Sequence, residues 1–398
     1  MAILYITYDG VLDPLGQSQV LAYLTRLTSQ HEIFLLSYEK AQEWRKTARR
    51  HSITQKIQSA KINWTSLTYH KHPSVLATSF DLLTGFCTAS WLVIHNSVSV
   101  VHARSLIPAI ICLGLKKLFR VRFIYDIRGF WVDCRREQGH LRDSSFVYKL
   151  LKNFEERCLR DADIVVSLTE KAVDAMKAFP FLADNPPRFE VITTCTDLDL
   201  FKPEPKSTVK NQQKPFTLGY VGSVGKLYMF DELLECFTVL CELIPEARLR
   251  IINRNDHDYI QSKISSHGIA KDKVDLHATD FAQVPEQLRM MDAGTCFVLP
   301  HPSMIAAAPT KIGEYLACGI PCIANSHSGD VEKILNENQV GVCVSDFSRQ
   351  AFQDALPKLL ALVDNPGTRN RCIGVADREF SLARGVESYD RIYKEFDT

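Results

Sequence analysis

Ala307-Ala308-Pro309-Thr310-Lys311-Ile312-Gly313-Glu314-Tyr315-Leu316-Ala317-Cys318-Gly319-Ile320-Pro321 is a short helix with both of its ends written into it. Pro309 stands near the first helical position, where its missing N–H removes nothing. Gly319 stands just past the end, with Pro321 beyond it, so a helix over 310–318 is expected. Apolar runs at 293–299 and 320–325 bracket it, and strand–helix–strand is the unit from which parallel sheets are built. The start of such a helix presents unpaired backbone N–H groups and a partial positive charge, to which Lys311 adds a mobile cation. Glu314 follows three residues later on the same face. A carboxylate beside a phosphate site is tolerable where it accepts hydrogen bonds from hydroxyls, so the pair suggests a ligand carrying both groups, such as a nucleotide with its ribose. A surface ion pair on an ordinary helix is the alternative.

The same alternation runs outward in both directions. Strands are expected at 3–7, 32–37, 62–68, 99–102, 122–126, 164–167 and 189–193 in the first half, and at 216–221, 248–253, 274–277, 293–299, 320–325 and 341–344 in the second. Segments 17–27, 106–119, 144–160 and 170–178 carry apolar stripes at helical period. Between the halves, 199–215 has three prolines, several charges and Asn211-Gln212-Gln213, the composition of an exposed linker. The reading is therefore α/β with two Rossmann-like domains, residues 1–205 and 206–380, whose strand C-termini and ligand sites face a central cleft. In the tail, 381–398, Val386, Tyr389, Ile392, Tyr393 and Phe396 share one helical face that needs a partner surface.

Composition removes several classes. The chain has 398 residues, 46% of them hydrophobic, which is too apolar for disorder and too long for one ordinary core. Lysine and arginine number 47 against 46 acidic residues, a balance that gives no global case for nucleic-acid binding. Roughly 25 basic against 20 acidic side chains fall in residues 1–200, so the first half is the one suited to an anionic partner. The 12 cysteines form no CxxC knuckles and several sit in apolar runs, as expected in a reducing, cytoplasmic setting. The first eight residues read as a buried strand and lack the features of a signal peptide. The segment 82–94, about 13 residues long, is short of the roughly 20 needed to cross a bilayer and reads as a buried or interfacial helix.

A series of segments resembles family 4 glycosyltransferases, retaining enzymes of the GT-B fold that use sugar nucleotides. They are Asp9-Gly10-Val11-Leu12-Asp13-Pro14-Leu15-Gly16-Gln17-Ser18-Gln19, Val101-His102-Ala103-Arg104-Ser105, Tyr125-Asp126-Ile127-Arg128-Gly129-Phe130-Trp131, Val191 through Phe201, Tyr220-Val221-Gly222-Ser223 and, most strongly, Pro309 through Pro321. The resemblance spans nearly the whole chain and implies that the tail helix crosses back onto the N-terminal domain. It implies a hexosyltransferase-like activity in glycan, polysaccharide or glycolipid synthesis. The donor would be UDP- or GDP-linked, with no further cofactor, and the acceptor lipid-linked or anionic.

Gly16 opens a helix and removes a side chain where a phosphate or sugar would approach backbone N–H groups, or else serves a helix cap. Asp126 and Arg128 end a strand, where ligand-facing groups collect, and are the candidates for the catalytic positions, an ion-paired structural loop being the alternative. The family often has a histidine in this region and this chain has none there. Arg104 is the candidate for an anionic acceptor, whereas His102 reads as a buried histidine. Gly219, Gly222 and Gly225 form a glycine-rich turn, and Gly222, Ser223, Lys226, Thr310, Lys311 and Glu314 make up the expected donor site. Two departures from the family stand out. Ser223 and Tyr228 occupy places where it keeps basic residues, and Ala306 occupies the place of the earlier of two glutamates, leaving Lys226, Lys311 and the helix N-terminus to neutralise the diphosphate. No DxD-like cluster stands at a strand end, so catalysis without a metal is expected, carried by fixed N–H groups and cations. The basic segments 45–50 and 116–122 suggest a peripheral contact with the inner face of a membrane, or simply a solvated surface. A sugar-nucleotide epimerase of the same fold and a non-catalytic sugar-nucleotide-binding subunit are the competing readings.

Overall fold

The computed structural model describes residues 1–204, 215–225 and 227–397. The chain forms two compact units, Met1–Thr193 with Leu382–Thr398, and Thr194–Ser381. The change of unit therefore falls twelve residues before the expected boundary at 205/206. The center of the expected linker, 205–214, lies outside the described residues.

The first unit is built on β1 (Ala2–Thr7), β2 (Glu32–Glu39), β3 (Asn63–Thr68), β4 (Val100–Arg104), β5 (Arg122–Ile127), β6 (Ile164–Ser167) and β7 (Arg188–Val191). Their order is β3-β2-β1-β4-β5-β6-β7 and every pairing is parallel. The second unit holds β8 (Thr217–Val221), β9 (Arg248–Ile252), β10 (Val274–His277), β11 (Ala293–Cys296), β12 (Cys322–Asn325) and β13 (Gly341–Val344) in the order β10-β9-β8-β11-β12-β13, again all parallel. In each sheet the order reverses beside the first strand, which is where ligands collect in doubly wound folds. Central strands are buried on both faces, as Ile3, Leu4 and Ile6 are in β1, so they read as continuous apolar runs rather than alternating ones.

Two helices depart from expectation. The segment 17–27 begins one turn earlier, at Pro14, and passes through a π-helical stretch, Gln17–Leu21, before Ala22–Leu27. The segment 82–94 is the second half of a 22-residue helix, Ser74–His95. Ala77, Asp81, Gly85, Ala89, Leu92 and Val93 of that helix are buried. A Cβ on Gly85 would lie 1.9 Å from Tyr38 Oη, so the helix lies directly against β2.

The tail forms the helix Leu382–Lys394 and belongs to the first unit. Tyr389, Ile392 and Tyr393 are buried there. Tyr23 of the Ala22–Leu27 helix meets Tyr389 edge to face with ring centroids 5.7 Å apart.

Candidate functional site

In the second unit the helix observed at Thr310–Ala317 follows a short turn, Pro302–Ala306, that leaves β11. Pro309 has no N–H to give, and the first amide of the helix to find a backbone acceptor is that of Ile312, on Pro309 O at 3.2 Å. The approach to the helix is held by Thr194 Oγ1, which donates to Ala308 O at 2.7 Å.

Lys311 is 3% exposed and its Nζ has no hydrogen-bond partner among the described residues. The ammonium sits instead over two aromatic faces, 3.6 Å from the ring centroid of Tyr228 and 4.1 Å from that of Tyr220. Such contacts are favourable by about 2 kcal/mol when desolvated, well short of what burial of a lone cation costs. Burial accordingly lowers Lys311 to a pKa of about 8, with Glu314 opposing the shift. Glu314 is also desolvated, which raises its carboxyl to about 7 against the pull of Lys311. The two form no ion pair within 4 Å, so the surface-pair alternative does not describe them. Among the described residues neither charge, at the start of one helix, has a direct counterion.

The glycine turn after β8 frames this pair. Gly222 has φ +116°, its N–H donates to Ile252 O at 2.9 Å and its carbonyl accepts from Asn253 Nδ2 at 3.0 Å. A Cβ there would stand 3.5 Å from Lys311 Nζ, so the missing side chain leaves the ammonium approachable. Ser223 is exposed and contributes its carbonyl, which accepts the Tyr220 hydroxyl at 2.5 Å. Tyr228 is pinned by bridges to Gly225 and Val298. Gly222, Thr310, Lys311 and Glu314 are thus brought together, while Lys226 lies outside the described residues. Tyr220 and Tyr228 were not among the expected site residues. Tyr228 stands where the resemblance leads one to look for a basic side chain, but nothing in its sequence neighbourhood says that its ring carries Lys311. Ala306 is buried at the end of its turn and offers no carboxylate.

In the first unit Arg104 and Asp126 stand opposite each other in register on β4 and β5. Asp126 is buried, its Oδ1 3.4 Å from Arg128 Nη1 and its Oδ2 accepting the Tyr389 hydroxyl at 3.1 Å. Burial works against its ionisation, yet Arg128, His102 and Arg104 outweigh it and hold the carboxyl at about 2. Arg128 Nη2 also reaches Gln19 Oε1 at 3.4 Å. His102 Nδ1 lies 2.6 Å from the Tyr393 hydroxyl, and burial lowers its pKa, so it is a neutral, packed histidine, as read from the sequence. Arg104 is buried, touches Asp9 through Nε at 3.4 Å and leaves Nη1 without a partner, as Arg128 leaves Nε. Arg128 pairs with Asp126 and Arg104 with Asp9, and each guanidinium keeps one N–H without a partner among the described residues, which an anionic group would complete.

Gly16 has a different use from the expected one. A Cβ on it would fall 2.1 Å from Gly10 O and 2.7 Å from Val11 Cα, so the space it leaves is filled by the protein's own loop and not by a ligand. The amides of that loop are also spoken for. The buried Glu39 carboxylate accepts Val11 N at 2.9 Å and Leu12 N at 3.2 Å, together with Ser37 Oγ at 2.6 Å. An acidic group beneath the loop is the wrong sign for a phosphate cradle.

Residues 201–377 match the family model described as glycosyl transferases group 1. No curated protein matches the chain in sequence. Among solved structures, sucrose-phosphate synthase from Thermosynechococcus elongatus is similar with a TM-score of 0.72 at 12% identity, over 99% of this chain and 98% of that one. Anabaena Alr3699/HepE in complex with UDP and glucose gives 0.69 at 14% identity, over 98% and 99%. A glycosyltransferase from Rickettsia africae ESF-5 gives 0.70 at 14% identity, over 99% and 98%. At these identities the likeness establishes the fold, which is GT-B.

Proposed function

We propose that this protein is a retaining glycosyltransferase that moves a hexose from a nucleotide diphosphate to an acceptor. The observation that carries the reading is Lys311, a buried ammonium with no counterion among the described residues, held over Tyr220 and Tyr228 at the start of a helix, inside the segment that matches group 1 glycosyl transferases. A diphosphate placed there supplies the missing anion. As the bond to the sugar breaks, negative charge grows on the leaving diphosphate and positive charge on the anomeric carbon. Fixed charge near the leaving group stabilises that state without reorganisation. Glu314 takes the ribose hydroxyls, which are donors, and this removes the repulsion a carboxylate would otherwise have for the phosphates.

Gly222, Ser223, Thr310, Lys311 and Glu314 bind the donor, and the two tyrosines position Lys311. Asp126 is a positioning residue, because Arg128 and Tyr389 engage its carboxylate. Arg104 and Arg128 receive an anionic group of the acceptor, in keeping with their partnerless N–H groups. The diphosphate is neutralised by Lys311 rather than by a bound metal ion. The UDP and glucose held by the Anabaena protein make UDP-glucose the first donor to try. A cytoplasmic location is part of the reading and is supported by twelve free cysteines.

The test is a panel of UDP- and GDP-sugars followed by NMR, with binding measured separately by calorimetry. Turnover in chelator giving a product of retained anomeric configuration is expected. Binding without turnover on any acceptor would make the chain a non-catalytic partner, and an epimer formed without acceptor would make it an epimerase. If Lys311→Ala leaves nucleotide affinity unchanged, the site is misplaced.

A further inference from the structure

We propose that the outer face of the Ser74–His95 helix is a docking surface for an anionic lipid membrane, independent of the transferase reading. Leu76, Phe80, Leu83, Trp91 and Ile94 are between 53% and 70% exposed, and exposed Cys87 completes their row. The steps along this row are four, three, four, four and three residues, which is one stripe of a helix. Leu118 of the neighbouring Leu106–Phe119 helix is 62% exposed and extends it. The two helices lie side by side: a Cβ on Gly85 would lie 2.8 Å from Ile111, and one on Gly114 2.8 Å from Phe86. That register sets Leu118 beside the Trp91 end. Exposed apolar residues scattered singly need no explanation, but a contiguous row of six does.

The helix cannot turn this row inward. Gly85 is already in contact with β2, and Asp81, the one Asp, Glu, Lys or Arg in the whole helix, is buried on the sheet side, bonded by Tyr8 Oη at 2.7 Å and His70 Nδ1 at 2.6 Å. No formal charge from those residue types therefore stands on the outer face over 22 residues, where an ordinary solvated helix would carry several. Length and composition would suit a membrane span, but the sheet side is committed to the protein, so the helix can only lie in the interface plane.

The charges lie at the two ends. Lys71 and His72 are exposed ahead of the first turn, and Lys117 and Arg120 are exposed beside the last. Lys117 is partly offset by Asp161 at 3.1 Å. The basic segments singled out in the sequence are less available than they look, since Lys116 and Arg122 pair with Asp163, and Lys46 and Arg49 with Glu43. A second copy of the chain is a poor occupant. Packed antiparallel, the stripe of one copy would bring Lys71 against the Arg120 end of the other, and packed parallel it would bring each end against itself. An anionic lipid surface neutralises both ends while the apolar row enters the headgroup boundary, where tryptophan is favoured.

The test uses the full chain labelled at Cys87 with an environment-sensitive thiol fluorophore, with Cys87→Ser as the labelling control. It should float with vesicles containing phosphatidylglycerol, shift its emission to the blue, and release in high salt. A Leu83→Glu/Trp91→Glu variant should lose about tenfold or more in vesicle partition while keeping its circular dichroism and nucleotide affinity, because both side chains project from the fold. No flotation, equal flotation on neutral phosphatidylcholine, or undiminished flotation of the variant would each overturn the proposal. So would a dimer in sedimentation that the variant dissolves without any vesicle binding.

Discussion

Raising the pH from 7 to 9 should weaken UDP binding about tenfold, chiefly through Lys311. Burial places its pKa at about 8 in the free protein. Roughly nine in ten molecules carry the ammonium at pH 7 and one in ten at pH 9. A diphosphate beside the ammonium raises its pKa, so binding at high pH must take up a proton, and affinity falls with the charged fraction. Tenfold corresponds to about 1.4 kcal/mol. The free protein has its own pH dependence from the same site, and the sign can be worked out. Lys311 is lowered in the fold, so the native state binds fewer protons than the unfolded chain between about 8 and 10.5, and stability rises with pH across that window. Glu314 is raised to about 7, so the native state binds more protons between 4.5 and 7, and stability falls with pH there. The pair therefore costs the free protein most between pH 7 and 8, where both groups are charged and bound nucleotide offsets most. Calorimetry at pH 7, 8 and 9, in buffers of different ionisation enthalpy and equal ionic strength, measures affinity and proton uptake together. An affinity flat within twofold, or the same loss with no proton uptake, would refute the reasoning. So would an unchanged slope in Lys311→Arg, whose charge does not titrate in this range.

Three further outcomes follow from the geometry. Tyr228→Leu removes the nearer ring beneath Lys311 and should weaken UDP binding severalfold, with Tm changed little, as read by calorimetry and thermal melting. Asp126→Asn leaves the buried Arg128 without its carboxylate and should cost about 3 kcal/mol in urea unfolding, whereas Tyr389→Phe, which removes one hydroxyl, should cost about 1 kcal/mol. Gly16→Ala drives a methyl into Gly10 O and should destabilise by about 1–3 kcal/mol while leaving UDP affinity unchanged, and a selective loss of affinity would restore a ligand role to Gly16.

The thirteen strands of the described residues were legible in the chain, as were the helices at 106–119, 144–160 and 170–178, because an apolar run or period is a local property. Continuous apolar runs, for strands buried on both faces, and 3.6-residue repeats, for helices, report what an element buries whatever it later packs against. Pro309 and Gly319 placed a helix start at Thr310, and its end at Ala317 differs from the expected one by a single residue. The tail helix was legible for the same reason, although its tyrosines read only as apolar surface. The polar ends of Tyr389 and Tyr393 find Asp126 and His102 across more than 250 residues of chain, a pairing no spacing encodes.

The sequence by itself determined the two parallel α/β units and the presence of Lys311 and Glu314 at one helix start. Only the tertiary structure decided that these two do not pair, that Tyr220 and Tyr228 carry the ammonium, and that Gly16 makes room for the chain's own backbone. It likewise decided that the Ser74–His95 helix leaves an apolar row outside. The reason is the same in each case. Composition and period state what a segment would bury, but a buried charge, a close backbone approach or an uncovered face depends on distances between segments remote in sequence, and those exist only once the sheets are assembled.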